Sequence, residues 1–107
     1  MATPPPAMAE ALARLWVKFL PEMERRVAVL EAAALELAGS SLPQESREAA
    51  HAAAHKLAGS LGTFGLREGT TIARQAESLL AAEASQSHAA ELASYAKGLR
   101  AVLDSRK

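Results

Sequence analysis

Residues 51–65 read HAAAHKLAGSLGTFG, with His51 and His55 four residues apart and Gly59, Gly62 and Gly65 after them. Imidazoles at i and i+4 share a helix face and could chelate zinc. The three residues between them are all alanine, so the glutamate of a zinc-hydrolase helix is missing. No third ligand stands nearby, and His88 lies far along the chain, so no metal is expected. The chemistry left to these residues is nucleophilic. A neutral imidazole, with an ordinary pKa of about 6.5, can take a phosphoryl group as a phosphoramidate and pass it on.

Such chemistry needs the ring in the open. Successive helical residues turn by about 100°. With Leu57 at zero, Ala50, Ala53, Leu61 and Phe64 fall within about 40° and form one stripe toward a core. His55 falls about 160° away, Gly59 near ~200°, Gly62 near ~140° and His51 near ~120°. Glycine inside a helix costs about 0.5–1 kcal/mol relative to alanine, and a core gains nothing from glycines on the far side. Access explains them: Gly59 removes the side chain one turn beyond His55, and His51, Gly59 and Gly62 border a surface that another protein can approach. Lys56, about 100° off the core on the other flank, is adjacent to His55 and can reach toward phosphoryl oxygens.

The elements that must position this face are helices. Alanine, leucine, glutamate and arginine dominate, aromatic residues are 4% of the 107-residue chain, and β-branched residues are sparse. Pro4-Pro5-Pro6 makes residues 1–6 a flexible tail, leaving 7–107 as one domain. A short helix is predicted over Ala7–Leu20, with Leu12, Leu15, Trp16 and Phe19 at helical spacing. Pro21 either kinks this helix or starts the next, and the bias it puts on Leu20 supports a break; the second helix then runs from about Pro21 to Ala38, striped by Met23, Val27, Leu30, Ala34 and Leu37. Gly39 reads as a left-handed cap. The histidine helix runs from about Pro43 to Thr63, with a stop at Gly65. A fourth helix covers about 66–84, with Ile72, Ala76, Leu79 and Leu80 inward. Ser85-Gln86-Ser87 caps a fifth, about 87–105, with Leu92, Tyr95, Leu99 and Val102. Short connections between long helices give an antiparallel up-down-up-down four-helix bundle with a short additional N-terminal helix. Trp16, Phe19 and Phe64 read as core, and Arg25-Arg26 as solvated charge. Gln75 and Glu77 read equally as groups near His55 or as ordinary polar surface.

Twelve basic and twelve acidic residues cancel, which removes the electrostatic case for nucleic acid or an anionic membrane. The absence of cysteine excludes disulfides and thiolate metal sites. No signal peptide or membrane span is visible, so a cytoplasmic protein is expected, and a monomer is the simplest state. There is no glycine-rich nucleotide loop and no room for an ATP domain, so the chain should not phosphorylate itself from ATP.

The stretch Ala54-His55-Lys56-Leu57-Ala58-Gly59-Ser60-Leu61-Gly62-Thr63-Phe64-Gly65-Leu66 closely resembles the signature of histidine-containing phosphotransfer (HPt) domains. Ala73-Arg74-Gln75-Ala76-Glu77-Ser78-Leu79 is similar to the family's following helix with its usual Glu, and the likeness in helix order extends over about residues 8–105. The resemblance implies a helical bundle that exchanges a phosphoryl group with receiver-domain aspartates in two-component relays, with a hybrid histidine kinase as a further partner. It implies that His55 is the acceptor, through Nε2, that Gly59 is the access glycine, and that Lys56 stabilises the phosphoryl group. The family's magnesium belongs to the receiver, so this chain needs no cofactor. One departure stands out: many members carry a second basic residue three positions after the histidine, and Ala58 stands there. That departure supports an alternative, a helical interaction module that binds receiver or kinase domains without carrying phosphate.

Overall fold

A computed structural model describes residues 5–106. It contains four α-helices, α1 (Pro6–Gly39), α2 (Gln44–Thr63), α3 (Arg67–Ala81) and α4 (Ala89–Arg106), with a 3-10 turn at Gln86–His88 and no strand among the described residues. The expected tail falls mostly outside the described residues, but Pro6 opens α1, with Pro5 as its N-cap.

The separate N-terminal helix is not present: α1 is one 34-residue helix that passes through Pro21. The apolar stripe explains why. Trp16, Met23, Val27, Leu30, Ala34 and Leu37 stay in phase across the proline and are all buried. Pro21 itself is exposed. The carbonyl it leaves without an N–H partner belongs to Val17, which is 72% exposed, so water can satisfy it. An interior proline costs about 3 kcal/mol, and burying Trp16 and Met23 on one continuous surface returns a similar amount, at about 1.5–3 kcal/mol per large side chain. Leu15 and Phe19, expected inside, are 38% and 44% exposed. Gly39 is a second correction. It has no positive φ; the chain leaves α1 through an extended Ser40, whose N–H donates to the Glu36 carbonyl.

The turn between α2 and α3 is where a glycine is required. Gly65 has φ +71°, its N–H donates to the Gly62 carbonyl, and the Leu66 N–H donates to Leu61. This pair of bonds is the Schellman closure that a left-handed residue permits. Gly69 serves the close approach that follows, since a Cβ there would lie 3.0 Å from both Leu61 Cδ1 and Val102 Cγ1.

α1 packs against α2 and α4, and α3 packs against the same two helices. Met23, Val27, Leu30, Leu37, Leu57, Leu61, Leu80, Leu92, Leu99 and Leu103 are fully buried between them. Trp16 meets Phe64 edge to face at 5.2 Å, and the Arg106 guanidinium lies over the indole. α3 ends at Ala81, earlier than its periodicity suggests, and Ala84 of the following connection turns inward. That connection ends in a capping box: the Ser85 N–H donates to His88 Nδ1 at 3.0 Å. Contacts along the helices fall in register. Arg26 meets Ser60, Arg47 meets the Leu80 carbonyl, Gly62 approaches Thr70, Arg100 pairs with Glu31, and Gln86 reaches the Ala38 carbonyl.

Candidate functional site

α2 buries one side and leaves the other bare. Ala50, Ala53, Ala54, Leu57, Ala58 and Leu61 face inward. Four of these six are alanines. His55 projects from that outer face with 72% of its side chain exposed.

One partner holds the ring. Glu77, on α3 and 24% exposed, places Oε2 2.7 Å from His55 Nδ1. A carboxylate only accepts hydrogen bonds, so the hydrogen is on Nδ1 and donates to Glu77. In the neutral ring this leaves the lone pair on Nε2, at the far edge of the imidazole. His51 Nε2 lies 3.9 Å from the same carboxylate oxygen, beyond hydrogen-bond distance, and His51 is half-buried. Of Gln75 and Glu77, which the sequence leaves open between groups near His55 and polar surface, the fold brings Glu77 onto His55, because α3 packs along α2 at that level.

The two α2 glycines differ. A Cβ on Gly59 would meet nothing within 4 Å, so the ground one turn beyond His55 is open. A Cβ on Gly62 would lie 3.8 Å from Thr70 Oγ1, so this glycine borders α3 rather than open space. Ala58 is buried, 4% exposed, on the inner side of α2.

The other flank of α2 belongs to α1, and here the sequence reading missed a group. Arg25 and Arg26 are not independent solvated charges. Arg25 donates twice to Glu22 Oε2, and Arg26 Nε lies 3.7 Å from Glu22 Oε1. Arg26 Nη1 also reaches Ser60 Oγ on α2 at 3.4 Å. The Arg25 hydrogen bond and charge, reinforced by Arg26 and Lys56, hold the Glu22 carboxyl below the usual carboxylate range. Lys56, itself exposed, therefore shares the electrostatic neighbourhood of this α1 cluster. The signal was present in the numbering. Arg26 sits only about 60° from the Met23 stripe, against about 160° for Arg25, so its stem lies along the packed edge.

Among the described residues no group of histidine, cysteine, aspartate and glutamate is placed to hold a metal ion, and no helix is long and apolar enough to cross a membrane. The family model described as Hpt domain matches residues 14–105. No curated protein and no solved structure matches the chain.

Proposed function

The chain belongs to the Hpt domain family, and from that premise we propose that it is a phosphocarrier in which His55 accepts a phosphoryl group from a receiver-domain aspartate and returns it to another. The observation that carries this reading is the His55 ring, open to solvent at 72% exposure and tied by Nδ1 to Glu77 at 2.7 Å. The tie keeps the Nε2 lone pair available and directed outward. Transfer then balances simply. The Nε2 lone pair forms the N–P bond as the aspartyl O–P bond breaks, and that electron pair returns to the receiver's carboxylate. The ring becomes cationic as the bond forms, and the Glu77 carboxylate beside Nδ1–H stabilises that charge. No proton has to leave the site.

In this reading the partner supplies the aspartate and the Mg²⁺, and the chain acts without ATP-dependent kinase activity of its own. Gly59 keeps the approach clear, and Lys56 offers a cation from α2. Residues 7–107 form the carrier domain, cytoplasmic and monomeric. The helices run up-down-up-down; contacts in which numbers rise along one helix as they fall along its neighbour, such as Arg47 with Leu80 and Gly62 near Thr70, support that course.

The test is direct. The chain is mixed with a receiver domain carrying labelled phosphate, and the label is followed. Acid-labile, base-stable label on the wild type and none on His55→Gln is the expected result. Label that persists on the variant would rule His55 out. A wild-type chain that binds the receiver yet never takes label would mark it as an interaction module instead.

A further inference from the structure

A phosphoryl group on His55 carries negative charge that needs cations, and along α2 the residues around His55 supply only Lys56. Ala58 is packed in the core, so no charge comes from that position. The direction of the tie to Glu77 says where help can come from. Nδ1 and Nε2 lie on opposite edges of an imidazole. With Nδ1 held by Glu77 on α3, Nε2 is the ring nitrogen turned away from that carboxylate, and of the two helices packed on α2 it is α1 that brings cations to the opposite flank. Gly59 leaves that ground open.

At its border Arg25 and Arg26 stand around the carboxylate of Glu22, and the charge of Lys56 also acts on that carboxylate. Arg25 is exposed and committed to Glu22 by two hydrogen bonds. Arg26 is different. Its side chain is 23% exposed, and its guanidinium already reaches across to α2, at Ser60, the residue after Gly59. Both of its polar contacts are long: 3.4 Å to Ser60 Oγ and 3.7 Å to Glu22 Oε1. A guanidinium has five donors in a planar fork. Phosphoryl oxygens would give it shorter, charge-assisted bonds than either contact it now makes.

On the phosphocarrier reading given above, we infer that Arg26 is a second phosphoryl-binding cation of this site, delivered by α1 across Gly59 to stand beside Lys56. The chemical step is unchanged: the N–P bond forms as the O–P bond breaks. Arg26 donates to two of the three peripheral oxygens, whose charge persists throughout the transfer. Glu22 holds the guanidinium in place between transfers.

The experiment uses the full chain and a receiver domain carrying labelled aspartyl phosphate, over a range of receiver concentrations. Wild type is compared with Arg26→Ala, Arg26→Gln, Arg26→Lys and His55→Gln. Arg26→Ala is expected to lower the maximal transfer rate by about tenfold, with the half-saturating receiver concentration little changed. Arg26→Lys is expected to recover part of the rate, because the charge returns without the fork. Arg26→Gln keeps most of the packed stem and serves if the alanine variant unfolds; the same loss is expected from it. A wild-type maximal rate in the folded Arg26 variants would overturn the inference. So would a loss confined to the half-saturating concentration, which would make Arg26 a docking residue. If the wild type takes no label, or His55→Gln takes as much, it is the phosphocarrier reading that fails, and that outcome is distinct from an unaffected Arg26 variant.

Discussion

In the middle of α2, His55 donates from Nδ1 to the Glu77 carboxylate; in the connection before α4, His88 accepts at Nδ1 from the Ser85 backbone N–H. The side chains are chemically identical, and their neighbours assign them opposite hydrogens. At His55 a carboxylate, which can only accept, puts the hydrogen on Nδ1 and leaves Nε2 with its lone pair. At His88 a backbone donor engages the Nδ1 lone pair, so the hydrogen is on Nε2 and the ring closes a capping box. One imidazole is left with Nε2 uncommitted, as the proposed transfer requires, and the other holds a turn. Exposure follows the same division: His55 stands open, while His88 is half-buried.

The sharpest way to break this comparison is to remove each ring in turn. His55→Gln should abolish phosphoryl labelling, and His88→Gln should leave the labelling rate at the wild-type value. Label lost from both, or from neither, would end the distinction. Removing the group that sets the His55 tautomer comes next. Glu77→Ala should lower the transfer rate by between about ten- and a hundredfold, the scale of one charge-assisted hydrogen bond. Its signature is spectroscopic: the imidazole ¹⁵N shifts of His55 should move away from the Nδ1–H form while those of His88 stay fixed. A rate loss without that shift would point to a packing role for Glu77.

Gly59→Leu should act more mildly and with opposite signs in two assays. The fold should gain up to about 0.8 kcal/mol from better helix propensity, because the Cβ enters open space. Transfer should slow, by about tenfold at most, because the new side chain crowds the approach to His55. Thermal unfolding and labelling kinetics on the same preparation check both. The smallest effect concerns the other histidine's surroundings. Ser85→Ala should cost about 1 kcal/mol of stability through the lost cap, seen as a drop in Tm of about 4–8 °C, with labelling unaffected.

Local pattern carried much of this into the sequence. The α2 wheel put Leu57 inside and His55 outside, and burial agrees for Ala50, Ala53, Leu57 and Leu61. The Gly65 stop was visible because a positive φ needs glycine, and the Ser85-Gln86-Ser87 signal marked the connection, although Ser85 caps a 3-10 turn there and α4 itself begins at Ala89 rather than near Ser87. Pro21 was misread because proline's local cost is explicit in the sequence, whereas the gain from one unbroken buried stripe appears only when α2 and α4 are there to cover it. Leu15 and Phe19 were misplaced for the related reason that helical spacing marks a face without saying whether a neighbour reaches that far along α1.

Phase along a single helix, then, was enough to put His55 on the open face, with clear ground at Gly59, and to name the glycine that turns the chain, since each depends on groups within a turn or two. The long-range contacts of α2 were another matter. Glu77 lies 22 residues from His55 and Arg26 34 residues from Ser60, so neither pairing has a local signature. Their positions follow from how α1 and α3 slide and rotate against α2 as the leucines and alanines close the core. That packing gives an exposed imidazole a carboxylate at Nδ1 on the α3 side and brings Arg26 against Ser60 on the α1 side of the same helix.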